Sequence, residues 1–412
     1  GHCSLPSFVM SHLGKSAWLA ALCSSLLASS VVAACGDGDA GTGGGGSSTS
    51  TPEPEPIPLG LNDVSVLFPL PPSHEDPGHL RPSDVGARGE LLPRDVYDQI
   101  PTFPVVPSEG LLYARMRVVS LRFDGCSGGP GNCEPEIRLV MQPIDADGSP
   151  RDSALHLFYR LDQASMTQVV DGLRALRALA PEAPVDAPLD VHPALVAQGV
   201  QGAYGTELRN LVLQHVGEQN FIRMTFFLRA PPVNEVWFFG GFEREAGVLR
   251  PMDIVAVGEG TNQRVILTKT ATSYDYDLTP IGMQPEDGRV FYSSAAAEAA
   301  TPEQREAAMA SYLRVENPTI YVPDQLPCAG CHIAAYVTAE ASRKHGLDMA
   351  SYTNERFSST RDLSQRGGAA NNPSSLRAFG WFGLEPMIAQ RTINESAAVV
   401  DDLEARYPQR AE

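Results

Sequence analysis

Residues 36–58 cannot fold on their own. They run Gly-Asp-Gly-Asp, then a Gly-rich stretch, then Ser and Thr, and then Thr51-Pro-Glu-Pro-Glu-Pro56 before Ile57-Pro58. Such a segment holds too little apolar surface to offset the entropy lost on ordering it. Its Gly/Ser half is expected to be a flexible coil and its Pro-rich end an extended spacer. The 412-residue chain therefore divides into a short N-terminal part and a long C-terminal part, and the long part must supply the core. At 43% hydrophobic and 19% charged residues, the chain has the composition to build one.

The short part reads as an export leader over residues 1–34. Met10 is a better start than residues 1–9, Lys15 supplies a positive charge, and Ser16 to Val32 is apolar and rich in small residues. This is the secretory layout, and the apolar run is short for a stable membrane span. It ends Val32-Ala33-Ala34-Cys35, which resembles the lipobox of bacterial lipoproteins. The resemblance implies that cleavage leaves Cys35 as an acylated N-terminus, and that residues 35–58 tether a folded body to a membrane. Gly36, rather than Asp, implies sorting to the outer membrane, facing the periplasm or the cell surface. The alternative is an ordinary secreted chain with an incidental Cys35.

Apart from Cys3 and Cys23, in or before the leader, and Cys35, the cysteines come as two close pairs, Cys126/Cys133 and Cys328/Cys331. Pairs of that kind suit an oxidising compartment. The formal net charge of −18 repels phosphate backbones and argues against nucleic-acid binding.

Residues 59–290 read as a β-rich body. Val64 to Leu70, Leu111 to Phe123, Ile137 to Pro143, Ala154 to Leu161, Phe221 to Leu228, Glu235 to Phe242 and Val265 to Thr268 carry strand patterns. Helices are expected at Ser165 to Leu179 and Thr206 to His215. Cys126-Ser-Gly-Gly-Pro-Gly-Asn-Cys133 is a turn-rich spacer between two strands, which suits a disulfide closing a hairpin loop. A metal-binding cysteine pair is the alternative. Asp145-Ala-Asp-Gly148 is too short for a calcium loop. His156, His192 and His215 are scattered, and hydrolase, metalloprotease and phosphate-loop motifs are absent. The aromatic run Trp237 to Phe242 is expected in the sheet core, with a ligand surface as the alternative.

Near the C-terminus, Thr301-Pro302-Glu303 opens a helix that Asn317-Pro318 stops. An extended stretch then leads to Cys328-Ala329-Gly330-Cys331-His332. Two thiols three positions apart can add to the two vinyl groups of one haem, and the following histidine can reach the iron. In an exported chain this spacing points to c-type haem attachment. A zinc site or a redox disulfide is the alternative. Residues 301–412 resemble a class I cytochrome c domain, which carries a distal Met just before its closing helix. Here that position is Met387, in Leu384-Glu-Pro-Met387, ahead of a helix bearing Ala397, Val400, Leu403 and Tyr407. The resemblance implies thioethers at Cys328 and Cys331, His332 as proximal ligand and Met387 as distal ligand. Met349, His345 or an open iron position are alternatives. Thr392 or Asn394 is expected to cap the closing helix, Trp381 and Phe382 to pack on the macrocycle or the core, and Arg391 to pair with a propionate or lie on the surface.

The expected fold is α+β: a sandwich-like, mainly antiparallel β body followed by a small all-α cytochrome c-like domain. The expected function is that of a lipid-anchored monohaem c-type cytochrome in extracytoplasmic electron transfer, an electron carrier rather than an enzyme. Its acidic surface suits a basic redox partner. An oxidase would need an open iron position. The alternative from another class is a surface binding or assembly lipoprotein in which the β body does the work and the CxxCH is a haem sensor or a structural pair.

Overall fold

The structure, a computed structural model, describes residues 57–100, 113–129, 133–230, 235–255, 260–269, 274–279, 288–366 and 376–409. The expected leader, Cys35 and nearly all of the tether lie outside the described residues. Helix α1 (Leu61–Val64) leads straight into strand β1 (Ser65–Leu67), followed by the ribbon β2 (Val85–Gly86) and β3 (Gly89–Glu90) and the one-turn helix α2 (Arg94–Tyr97). Then come β4 (Met116–Asp124), β5 (Glu136–Pro143) and β6 (Ser153–Arg160). Helices α3 (Gln163–Ala178), α4 (Pro193–Gln198) and α5 (Ala203–His215) precede β7 (Phe221–Ala230), β8 (Glu235–Glu245), β9 (Val248–Pro251), β10 (Asn262–Lys269) and β11 (Tyr274–Thr279). The last part holds α6 (Ser294–Ala299), α7 (Pro302–Val315), α8 (Cys328–His345), the hairpin β12 (Phe379–Phe382) and β13 (Glu385–Ile388), and α9 (Gln390–Arg406).

Among the described residues one nine-stranded antiparallel sheet dominates, ordered β1-β4-β5-β6-β7-β8-β10-β11 with β9 beside β8. The strands form where β-branched and aromatic residues alternate, and the alternation sorts them into two faces. The cross-strand row Leu121, Leu139, Leu157 and Met224 lies on one face and is fully buried. On that side Tyr159 donates to the Leu91 carbonyl, while Arg88 and Ala87 bond Ser165 of α3 and the Leu213 carbonyl of α5. The opposite face is mixed. One row runs Arg122, Arg138, Phe158, Arg223 and Glu243, and the next runs Ser120, Val140, His156, Thr225 and Gly241. A sheet face this polar needs partners, and the C-terminal segment supplies them.

Ser120 Oγ donates to the Phe379 carbonyl at 3.0 Å. The Gln142 side-chain amide bonds both backbone groups of Trp381, accepting from its N–H at 2.7 Å and donating to its carbonyl at 3.2 Å. A Cβ on Gly380 would meet Gln142 Oε1 at 2.4 Å, so a side chain there would push the Gln142 amide off its bonds to Trp381. Arg122 reaches across to Glu395, the Thr392 carbonyl and Ser396 on α9. The described residues all belong to one compact unit, Pro54–Glu412. The expected break between a β body ending at 290 and a haem domain starting at 301 does not divide the packing. The expected all-α domain also contains a β-hairpin, because residues 379–388 pair with each other as a separate two-stranded sheet.

Two local expectations shift. Helix α9 starts at Gln390, after an Ala389 N-cap that makes no side-chain bond. Thr392 instead donates to the Ala378 carbonyl, and Asn394 to the Glu316 carbonyl. Thr301 caps α7 as its sequence position suggests, accepting from the Gln304 N–H. Cys126 and Cys133 form a disulfide across the turn between β4 and β5.

Candidate functional site

Pro327 stops the preceding chain in an extended conformation and serves as the N-cap of α8, so the helix begins on Cys328. One turn later comes Cys331, on the same side of the helix as Cys328. The first-turn N–H of Ala329 has no helical acceptor, and it donates to the fully buried Oε1 of Gln263 on β10 at 2.8 Å. That bond pins the start of α8 to the mixed face of the sheet. At its other end α8 stops on Gly346, whose φ of 69° is the left-handed value that glycine adopts without strain.

His332 is held on two sides. Its Nδ1 lies 2.5 Å from the Leu376 carbonyl, which requires a proton on that nitrogen and leaves the Nε2 lone pair free. Its ring packs against Phe239 and Phe227, with centroids 5.1 and 5.5 Å away, and against His156 at 5.9 Å. Burial pushes the His332 pKa down, against the smaller effect of the Leu376 bond, so the imidazole is held neutral. His156 is also neutral: burial, then the facing His332, pushes it down to about 3.

Between the mixed sheet face and the first turns of α8 and α9 lies a cavity of ≈ 260 Å³. Cys328, Cys331, His332 and His156 line it together with Phe158, Arg138, Arg223 and Arg391. Its size is close to the lower end of the ~300–1,000 Å³ spanned by small-molecule sites. Arg391 is buried and bonded through each nitrogen, with Nε 2.5 Å from Glu395 and its other nitrogens on the Val315 and Tyr321 carbonyls. It is therefore not a surface charge. Arg223 differs. One nitrogen reaches Asp324 at 2.7 Å and its guanidinium lies over Phe158, but its buried Nε has no partner among the described residues.

Neither cavity cysteine is in a disulfide. Burial pushes Cys328 up to about 12 and Cys331 up to about 11. Thiols in that state are poor thiolate nucleophiles and poor metal ligands at neutral pH. A thioether carries no charge, so the same apolar surroundings cost it little. The donor set fits a covalently attached haem: two neutral thiols, a neutral imidazole with Nε2 free, aromatic walls, and a buried arginine nitrogen without a partner.

Met387 stands apart from this cavity. It is buried on β13, paired with Gly380, and absent from the cavity wall. Met349 lines a separate cavity beside Glu316 and Arg356, and His345 a small third one beside Phe291 and Lys344. Trp381 packs into the core, donating from Nε1 to the Phe68 carbonyl at 3.1 Å. The residue that sequence reasoning passed over is His156. Its signal was positional. In Ala154-Leu-His-Leu-Phe158 the histidine shares the face of Ala154 and Phe158, opposite Leu155 and Leu157, so a second layer had to cover it.

Among the described residues no three His, Cys, Asp or Glu side chains converge as a bare metal-ion site, and no helix is long and apolar enough to cross a membrane. No protein-family model matches the chain, and no curated protein or solved structure matches it either.

Proposed function

We propose that the protein is an exported, lipid-anchored carrier of one covalently bound c-type haem that passes electrons between extracytoplasmic partners. The observation that carries the reading is the meeting of Cys328, Cys331 and His332 on the wall of one cavity. Cys328 and Cys331 would hold the group, each thiol adding across one vinyl: sulfur to one carbon, its hydrogen to the other, with no oxidant consumed. His332 would supply Nε2 to the iron while the Leu376 carbonyl fixes its tautomer and orientation. Arg223 would offer its spare Nε to a carboxylate. Bound haem supplies a one-electron couple; Phe158 and Phe379 on the cavity wall would exclude water around it and so tune its potential.

The cytochrome c resemblance is here a resemblance of attachment motif. The helix that bears the motif packs on a sheet, so the fold that would hold the haem is an α+β one. Lipid on Cys35, outer-membrane sorting and a basic partner complete the proposal and rest on the sequence alone. The test is expression in a host with cytochrome c maturation, followed by haem staining after denaturing electrophoresis. A stained band in the parent, lost in Cys328→Ala/Cys331→Ala, is expected. An unstained parent under full maturation would overturn the reading and leave the cysteines a structural pair.

A further inference from the structure

We infer that His156, from the middle of β6, is the second iron ligand, so that the haem is held between two histidines and not between His332 and a methionine. The inference rests on the haem proposal and adds what that proposal leaves open. Three observations carry it.

The first is distance. With about 2 Å for each metal–nitrogen bond and about 1 Å from each nitrogen to its ring centre, two imidazoles on opposite sides of one metal atom have centroids about 6 Å apart. The His156 and His332 centroids are 5.9 Å apart.

The second is availability. No hydrogen bond reaches the His156 ring among the described residues. Its neighbours in the cross-strand row, Val140 and Thr225, offer it no charge. The ring is half-buried on the cavity wall, so its nitrogens face the cavity and are open to a ligand there.

The third is the place of the competitors. Met387 is committed to the β12–β13 hairpin, while Met349 and His345 face other cavities. His156 lines the same cavity as both cysteines and His332.

The chemical consequence is specific. A second imidazole in place of a thioether lowers the iron potential, since methionine opposite histidine raises it. It also closes the coordination sphere, which suits electron exchange and excludes substrate binding at iron.

The experiment uses the full chain matured with haem. Haem staining after denaturing electrophoresis reads attachment, and absorption and electron paramagnetic resonance of the ferric protein read ligation. The parent is expected to be low-spin with no sulfur-to-iron band. His156→Ala is expected to keep the stained band, become high-spin, and return to low-spin on adding imidazole. His156→Met, which keeps a ligating side chain if alanine fails to fold, is expected to gain the sulfur-to-iron band and a raised midpoint potential. Met387→Ala is expected to match the parent. A His156→Ala protein that stays low-spin, or a parent sulfur band lost in Met387→Ala, would overturn the ligand assignment and leave the haem reading standing. An unstained parent would overturn both.

Discussion

At the scale of single residues, two buried carboxylates behave in opposite ways. Burial alone would raise Glu395, but Arg391, Arg122 and Arg138 outweigh it and hold the group at about 2, below its ordinary 4.5. Its stabilisation is therefore present above pH about 4.5 and is lost as pH falls through about 2. Removing the charge leaves three guanidiniums in the interior. Glu395→Gln is expected to cost about 3–5 kcal/mol at pH 7, read as a lower urea midpoint. Glu316 is the reverse case. Burial raises it to about 7, with Arg356 and Arg391 compensating only in part. A raised carboxylate contributes stability below its ordinary pKa and loses it as pH rises through the folded one. Glu316→Gln should thus be neutral at pH 4.5 and stabilising by about 1–3 kcal/mol at pH 8; equal midpoint differences at the two pH values would contradict this. Neither behaviour was legible in the sequence. Charge neighbours separated by hundreds of positions, such as Arg122 and Glu395, meet only through the tertiary packing.

At the scale of elements, Gln142 acts as one rung of a ladder. Its amide stands in for a strand neighbour to Trp381 and so docks the hairpin on β5. Gln142→Ala leaves a buried N–H and a buried carbonyl bare. It should cost about 2–4 kcal/mol and raise hydrogen exchange at residues 379–388 above that of β5. Elements of this kind divide what the sequence reveals from what it hides. Strands β5 to β8 and helices α3 and α5 announce themselves, because alternation and helical spacing are local signals along Ile137 to Pro143 or Ser165 to Leu179. The hairpin does not. Phe379-Gly-Trp-Phe382 is short, and its partner is a glutamine side chain far earlier in the chain. The start of α9 misleads for a related reason: Thr392 and Asn394 have the chemistry of caps, but tertiary acceptors at Ala378 and Glu316 claim them. In the candidate site, the CxxCH was legible as a motif. The second histidine was not, because its position depends on the register of four strands.

At the scale of the molecule, the net charge of −18 and the proposed lipid each make a prediction. Electron exchange with the proposed basic partner should slow as salt rises toward physiological strength and beyond, where the Debye length is about 8 Å or less; a rate flat across ionic strength would remove charge from the account of docking. Cys35→Ser, expressed with export intact, should leave the membrane fraction for the soluble one. Retention in the membrane would put the anchor elsewhere.

The two ends of the described chain meet. The Ile57 N–H donates to Gln409 at 2.7 Å and the Leu59 N–H to Glu404 at 3.1 Å, while the Leu59 carbonyl accepts from Arg361. Ladder bonding begins only at Ser65, where β1 pairs with β4. A pull on the chain at Ile57 is therefore borne first by side-chain clasps from Glu404 on α9, from Gln409 just past it, and from Arg361 in the segment ahead of the β12–β13 hairpin. The load reaches the strands only after those clasps have opened. The seam where the start of the described chain is buttoned to its end is in this sense a mechanical fuse for the sheet.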